Sequence, residues 1–208
     1  MAVRKRLTAG LGALRARYAG SVSGDYFEGL FADKDDPWDY ETSDYEHRKY
    51  GAVLDSMPRE RYRSALEVAC ANGVFTELLA ARCDNLLAID ISRRAVELTG
   101  RRCAGKPHVR TDVVQVPKQF PVGSFDYVNV GEVGYYWSAV DLKRSVERIV
   151  GAMENGGHLQ LVHTFKYKPD RQVDGETVHD AFRTAPGLRS VLSVRSEDGY
   201  LLDVLEKR

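Results

Sequence analysis

The chain has 208 residues, and 30 Lys and Arg balance 30 Asp and Glu, so its formal net charge is zero. A neutral chain of this length predicts one domain with its own core and argues against a nucleic-acid partner, which normally requires a basic excess. No run of 18 apolar residues occurs, so neither a membrane span nor a membrane partner is expected. The basic first 17 residues lack the apolar stretch of a secretory signal.

The cysteines point to a reducing compartment. Cys70, Cys83 and Cys103 are odd in number and lack the paired spacing of a disulfide framework or a zinc site. We therefore expect a cytoplasmic protein that holds no metal. His158 and His163 support the second expectation, because residues five apart on a predicted strand point to opposite faces.

The N-terminal part of the chain is predicted to be an extension of the main domain. Residues 1–25 are rich in Gly, Ala and Arg and are expected to form a mobile segment or a lid. Residues 26–45 combine aromatic and acidic residues with Pro37, which indicates a loop anchored by its aromatic rings. The predicted division is an N-terminal lid or extension over residues 1–42 and a Rossmann domain over residues 43–208.

Strands and helices alternate along the rest of the chain. A helix is predicted over residues 43–57, because Ser43 and Glu46 have the spacing of a capping box. Further helices are predicted over 73–82, 92–103, 141–153 and 175–185, and strands over 64–69, 85–90, 109–116, 125–130, 158–163, 187–195 and 200–206. This alternation predicts an α/β, Rossmann-like fold, with a mostly parallel seven-stranded sheet, helices on both faces and an antiparallel C-terminal hairpin.

Ligands of such sheets bind beyond the carboxyl ends of the strands, and two features lie there. The segment from Glu67 to Gly73 follows a strand and opens a helix, where small residues let backbone N–H groups approach a ligand. Asp90 ends the next strand, where an acid can accept hydrogen bonds from both ribose hydroxyls of an adenosine cofactor. The simpler alternative is a plain strand–turn–helix with a surface Asp that caps the next helix.

These features belong to a series of ordered motifs that extends over residues 26–208. The motifs are Asp36-Pro37-Trp38, Thr42-Ser43-x-Tyr45-Glu46 with Lys49-Tyr50, Ala65–Val68, Leu87–Ser92, Phe125–Tyr127 with Glu132-Val133-x-Tyr135-Tyr136, Gly156–Leu159, Val178-His179 and Leu201–Val204. The series resembles the class I S-adenosylmethionine (SAM)-dependent methyltransferases, and more narrowly the nodulation protein S (NodS) family. The family methylates small acceptors on nitrogen, typically amino sugars or related glycans.

The resemblance implies SAM as the cofactor and places its binding residues at the tips of the first three strands. The methionine end would lie on the turn after the first strand, and the ribose and adenine at the second and third strand tips. The helix over residues 43–57 would close the site. In that order, the implied residues are Glu67, Ala69, Cys70 and Gly73, then Asp90, Ile91 and Gln115, then Tyr45 and Lys49 with Tyr50.

Methyl transfer requires that the acceptor be held in line with the methyl group and lose one proton. The first candidate base is His163, expected to face the acceptor after the fifth strand, because imidazole titrates near neutral pH. Glu132 is the second candidate and Tyr136 the third. The alternatives are a structural histidine at a strand end and a first-turn acid favoured by the helix dipole.

Several positions depart from the family pattern: Asn129, Gly131 and Gly134 stand where the family usually has larger apolar or hydroxyl residues, and two further departures fall in the cofactor site. Ala69 stands where the family turn has glycine, and its methyl group would crowd the cofactor and disfavour a positive φ. Gln115 stands where the family has an aspartate that meets the adenine amino group, and its amide oxygen can accept the same bond without the charge.

The expected function is a SAM-dependent methyltransferase that modifies nitrogen or oxygen of a small sugar-like or nucleoside-like acceptor, in natural-product or glycan biosynthesis. The two departures motivate an alternative, a repurposed fold with non-methylating chemistry on a nucleotide or nucleotide sugar. A binding module on a decayed site is a third possibility. A dehydrogenase is disfavoured, because the turn lacks G-x-G-x-x-G. The partner is expected to be a small-molecule substrate, and the assembly a monomer or homodimer.

Overall fold

A computed structural model describes residues 20–166 and 168–208 and shows seven strands in one sheet. The strands are β1 Ala65–Val68, β2 Leu86–Asp90, β3 Val109–Val113, β4 Phe125–Gly131, β5 Met153–Thr164, β6 Leu188–Arg195 and β7 Tyr200–Lys207. Their order is β3-β2-β1-β4-β5-β7-β6; β1 to β5 pair in parallel, and β7 is antiparallel to both of its neighbours. The predicted Rossmann-like sheet with its C-terminal antiparallel hairpin is confirmed.

Six α-helices lie in the described part of the chain. They are α1 Gly24–Asp33, α2 Asp44–Asp55, α3 Val74–Leu79, α4 Arg93–Arg102, α5 Ala139–Ala152 and α6 Gly175–Arg183. Ser43, Ser92 and Ser138 precede α2, α4 and α5, and each side chain accepts a hydrogen bond from a backbone N–H three residues on. None of these helices is long and apolar enough to cross a membrane.

Side chains of alternate residues in the central strands pack into two separate hydrophobic cores, one on each face of the sheet. One core joins Leu66 and Val128 to apolar side chains of α5 and α6. The other core joins Ala65 and Tyr127 to Val53 of α2 and to apolar side chains of α3. Helices therefore cover both faces, as predicted, and the polar side chains of the site lie where these cores end at the strand tips.

The prediction of a loop over residues 26–45 was partly wrong, because α1 occupies its first part. The Ser23 hydroxyl caps α1 by accepting a hydrogen bond from the backbone N–H of Tyr26. Phe27 and Phe31 follow at helical spacing; Phe31 is buried, and its ring meets that of Trp38 edge-on at 5.5 Å. The aromatic anchoring that was expected of a loop is therefore carried by a helix.

The N-terminal boundary stays a prediction. Residues 1–19 of the expected mobile segment or lid lie outside the described residues. Residues 20–33 pack against the main domain, since the backbone N–H of Val22 donates to the Tyr136 carbonyl at 3.0 Å and the ring of Phe27 meets that of Tyr136 edge-on at 5.0 Å.

Candidate functional site

A cavity of about 450 Å³ opens beyond the carboxyl ends of β1, β2, β4 and β5. Strand order reverses between β1 and β4, so this is the crevice where parallel α/β sheets bind ligands. Helices α1 and α2 and the loop between them form its roof. It brings together eight of the predicted site residues: Tyr45, Lys49, Ala69, Asp90, Ile91, Gln115, Glu132 and Tyr136.

The turn after β1 adopts the backbone that a cofactor turn of this kind needs. Ala69 and Ala71 have φ of +66° and +51°, and Gly73 has φ of +81°. Only Gly73 must be glycine for space, because a Cβ there would lie 2.8 Å from Thr99 Cα. Ala69 thus supplies the positive φ that was expected to be difficult for it, at a cost of roughly 1–2 kcal/mol.

A second, smaller cavity of about 50 Å³ adjoins the first beneath this turn, and Glu67 and Cys70 line it. Its lining holds several buried polar atoms that have no hydrogen-bond partner among the described residues: Glu67 Oε2, Asn72 Oδ1 and Nδ2, and Asn129 Nδ2. Native proteins rarely leave buried polar atoms unpaired, so this group indicates a site for a polar, charged part of a ligand. Gly73 lines neither cavity and shapes the turn instead.

The two acids of this region are buried and differ in their hydrogen bonds. Burial raises the pKa of Glu67 to about 8. Burial also raises the pKa of Asp90, to about 6, although its carboxylate accepts backbone N–H bonds from Ser92 at 2.9 Å and Ala71 at 3.0 Å. Asp90 is therefore ionised at neutral pH and holds the turn after β1 to the start of α4.

Glu132 lies at the centre of the site and is fixed by four hydrogen bonds. Its carboxylate accepts from Lys49 Nζ at 2.6 Å, from the Tyr135 hydroxyl at 2.6 Å and twice from the Thr164 N–H at 3.2 Å. Burial acts to raise the pKa of Glu132, but Lys49 and the Tyr135 hydroxyl outweigh it and hold that pKa below its usual value. Glu132 is therefore a carboxylate suited to binding a cation or an N–H group.

Lys49 and two tyrosines complete the wall of the cavity. Lys49 is only 1% exposed and also contacts Glu46 Oε2 at 2.8 Å. The ring of Tyr45 lies 5.0 Å from Lys49 Nζ, and its buried hydroxyl has no hydrogen-bond partner within the described residues. Burial raises the pKa of Tyr136, so its phenol is neutral and can donate a hydrogen bond at neutral pH.

The structure does not bring His163 to the site, so the expectation that it faces the acceptor was wrong. His163 is fully buried and lines neither cavity. Its Nε2 accepts from the Gly134 N–H at 3.1 Å, and its Nδ1 contacts His179 Nε2 at 3.2 Å. His179 Nδ1 in turn meets Asp203 Oδ2 at 2.7 Å, and Arg183 donates to the same carboxylate.

The series of hydrogen bonds from Gly134 to Asp203 shows which ring nitrogen of each histidine carries the proton. A backbone N–H donates to His163 Nε2, so the proton of His163 is on Nδ1 and donates to His179, which donates to Asp203. Burial lowers the pKa of His163 well below its usual value. The structural alternative for His163 therefore holds, and Thr164, one residue later, is the β5 residue that lines the cavity.

Several cavity residues were not predicted from the sequence, among them three cations. Lys166, Lys168 and Arg171 follow β5 directly and line the large cavity. Their sequence signal is the position directly after a strand tip, but cations in a loop are not candidate acids or bases for catalysis.

Comparison with known proteins identifies the family. The sequence profile described as nodulation protein S (NodS) matches residues 29–164, well over half of the chain. The chain belongs to the NodS family. Nodulation protein S of Bradyrhizobium diazoefficiens is 33% identical over 121 residues, which cover 57% of this chain and 58% of the relative. That of Rhizobium tropici is 33% identical over 127 residues, 60% and 53% of the two chains. The matches thus span only 53–58% of the length of these relatives.

Solved structures agree with this assignment. The N-methyltransferase NodS from Bradyrhizobium japonicum WM9, crystallised with S-adenosyl-L-homocysteine, superposes with a TM-score of 0.79 at 25% identity, over 88% of this chain and 97% of that one. A putative methyltransferase from Pseudomonas syringae gives 0.70 at 35% identity, over 79% and 99%. The fold of the NodS family therefore extends through almost the whole of the described chain.

Replacing Ala69 by glycine tests the strain in the turn. Because glycine adopts φ of +66° without a Cβ contact, Ala69→Gly should raise the free energy of unfolding by about 0.5–1 kcal/mol. Urea unfolding measures the change. The control, Ala52→Gly in α2, should lower the same quantity by about 1 kcal/mol, and a loss of stability in Ala69→Gly would contradict the strain.

Glu67→Gln should change the pH dependence of stability. Because the pKa of Glu67 is raised in the folded state, ionisation of this residue lowers the free energy of unfolding of the protein as pH rises from about 4.5 through about 8. Glutamine does not titrate, so the variant lacks this loss. The free energy of unfolding of Glu67→Gln, compared with that of the wild type, should therefore increase between pH 5 and pH 8. Urea unfolding at each pH measures this difference. A difference between Glu67→Gln and the wild type that stays constant with pH would refute the assignment.

His163→Ala should lower the free energy of unfolding by about 2–4 kcal/mol, because it leaves the Gly134 N–H unpaired and opens a cavity in the core. The exposed control His47→Ala should stay within about 0.5 kcal/mol. A low pKa in the folded state also predicts that wild-type stability is lost, through this group, as pH falls below about 6.5. Unchanged stability together with lost catalysis would restore His163 as the base.

Proposed function

We propose that this chain is a SAM-dependent N-methyltransferase whose acceptor is a small, sugar-like or nucleoside-like amine. The observation that carries the proposal is the pairing of the two cavities, which offer a ribose-binding acid at one end and a buried polar group at the other. The structure of the N-methyltransferase NodS with bound S-adenosyl-L-homocysteine supports the same reaction.

The residues of the two cavities fit SAM as cofactor. The unpaired oxygen of Glu67 and the unpaired amides of Asn72 and Asn129 suit the ammonium and carboxylate of its methionine end. Asp90 is ionised at neutral pH and suits the ribose hydroxyls, while Ile91 offers an apolar surface for adenine. When bound, SAM supplies an electrophilic methyl group on a sulfonium.

The chemistry of Glu132 favours nitrogen over oxygen as the methylated atom. A hydroxyl acceptor requires a strong base, and Glu132, whose pKa is held below its usual value, is a weak one. A neutral amine is already a nucleophile and needs only to be oriented and to lose its proton after transfer. Glu132 can accept a hydrogen bond from such an amine, and Tyr136 can donate to a neighbouring oxygen of the acceptor.

The roof of the cavity is lined by aromatic rings. Trp38 and Tyr40 of the loop after α1 lie with ring centroids 5.6 Å apart, and Tyr136 stands beneath Phe27. Aromatic faces of this kind pack well against a sugar ring or a base, and they leave polar edges to the hydroxyls. The N-terminal lid is part of this proposal, because α1 supplies Phe27 to the roof and the loop after α1 supplies Trp38 and Tyr40.

Replacing Asp90 by asparagine tests the cofactor site. Asp90→Asn keeps one acceptor for the turn but removes the charge that binds the ribose hydroxyls, so S-adenosyl-L-homocysteine should bind at least tenfold more weakly in calorimetric titration. Asp112→Asn, on the exposed side of β3, should bind as the wild type does.

A wild type that binds no S-adenosyl-L-homocysteine at millimolar concentration would overturn the proposed function. It would favour the repurposed fold instead, and nucleotides and nucleotide sugars would then be titrated as ligands. Binding without methyl transfer to any amine, followed by mass spectrometry, would point to the same alternative.

A further inference from the structure

The segment after β5 contributes three positively charged side chains to the lining of the large cavity. Lys166, Lys168 and Arg171 all line it. Over residues 20–166 and 168–208, no carboxylate oxygen lies within 4.0 Å of the charged nitrogens of these three side chains. The acid of the same segment, Asp170, accepts from the Tyr26 hydroxyl at 3.1 Å and does not line the cavity.

The carboxylates that line the cavity have partners other than these three cations. Lys49 lies between Glu46 and Glu132, and Asp39 pairs with Lys34 outside the cavity. Of the other two acids in the lining, Asp90 accepts backbone N–H groups and Asp141 accepts from the Ser21 hydroxyl. None of these carboxylates lies within 4.0 Å of the charged nitrogens of Lys166, Lys168 or Arg171, so these three cations are available to an anionic ligand.

Arg171 is held in place rather than mobile. Its guanidinium carbon lies 3.7 Å from the centroid of the Tyr135 ring, and its Nη1 donates to the Lys166 carbonyl at 2.6 Å. Its Nε is buried and has no hydrogen-bond partner in the described part of the chain. A planar, pre-oriented guanidinium with a free donor is the group that binds phosphate or carboxylate most specifically.

The same tyrosine connects this cation to the centre of the site. Tyr135 stacks under Arg171 with its ring and donates its hydroxyl to Glu132 at 2.6 Å. One rigid side chain thus fixes an amine-binding carboxylate and an anion-binding guanidinium on one wall of one cavity. An acceptor that spans both must carry an amine and a negative charge a few bonds apart.

We propose that the acceptor of this enzyme is anionic: a small amine that also bears a phosphate or carboxylate group, bound by Arg171 and Lys168 with Lys166 at the entrance. This inference rests on the proposed function and names its substrate class. Lys118, another cation of the lining, follows β3 on the adenine side and is not part of the group.

The test compares matched ligands in titrations of the whole chain. Glucosamine and glucosamine 6-phosphate differ only in the phosphate, and inorganic phosphate and acetate probe the anion site alone. Both tryptophans of the chain, Trp38 and Trp137, line the cavity, so intrinsic fluorescence reports its occupation. Glucosamine 6-phosphate should bind at least tenfold more tightly than glucosamine, and the difference should shrink as salt is raised.

Charge-removing variants assign the effect to these residues. Lys168→Gln and Arg171→Gln should each reduce the preference for glucosamine 6-phosphate severalfold, and Lys143→Gln, on the exposed side of α5, should not. Arg171→Lys, which keeps the charge but loses the planar fork, should recover part of the loss. Because Lys168 is exposed, Lys168→Gln should fold normally even if the Arg171 variants do not.

Equal binding of the two sugars, or a preference that survives both charge removals, would overturn the inference. Tighter binding of phosphate than of acetate would identify a phosphorylated acceptor, and the reverse order a carboxylated one. Titration without S-adenosyl-L-homocysteine separates this inference from the proposed function: anion binding by a chain that fails to bind the cofactor product would refute methyl transfer and leave the anion site standing.

Discussion

The buried ammonium of Lys49 is the interaction on which the shape of the site depends. It lies between the carboxylates of Glu46 and Glu132, and Glu132 also receives the N–H of Thr164 at the tip of β5. Breaking a buried ion pair leaves an uncompensated charge, which is strongly destabilising. These ion pairs and hydrogen bonds therefore hold helix α2 against the ends of β4 and β5. They join the roof of the cavity to its floor.

Asp90 shows how one residue can satisfy two interpretations of a sequence. The sequence left open whether it binds a ribose or merely caps the next helix. The structure shows that it accepts the N–H groups of Ser92 and Ala71, so it has a structural function that any protein of this fold could use. Each carboxylate oxygen has a second lone pair, however, and the residue lines the large cavity. The capping interaction orients the acid and leaves it available to a ligand.

Most of the fold could be predicted from the sequence, because alternating apolar strands and capped helices have a strong, local signal. The sequence could not predict which residues at a strand tip point into the cavity. His163 was expected in the site, but strand alternation turned its side chain into the core that Phe182 and Val178 share, and Thr164 took its place at the cavity. Helix α1 was missed because its hydrophobic contacts are with distant residues such as Tyr136. Long-range packing, which a local pattern does not encode, decided the case of α1, whereas for His163 the alternation was known but not which face of β5 borders the cavity.

Backbone strain concentrates in the same place. In the described part of the chain, the non-glycine residues with positive φ are Asp39, Ala69, Ala71 and Glu132, and all four line the large cavity. Such conformations persist only where surrounding contacts hold them, and here hydrogen bonds or ion pairs fix Asp39, Ala71 and Glu132. Ala69 lies between β1 and Cys70, whose backbone N–H donates to the Ile89 carbonyl at 3.0 Å. Strained backbone at the tips of β1 and β4 therefore lowers the stability of the fold. The same backbone, rather than mobile side chains, shapes the wall of the cavity.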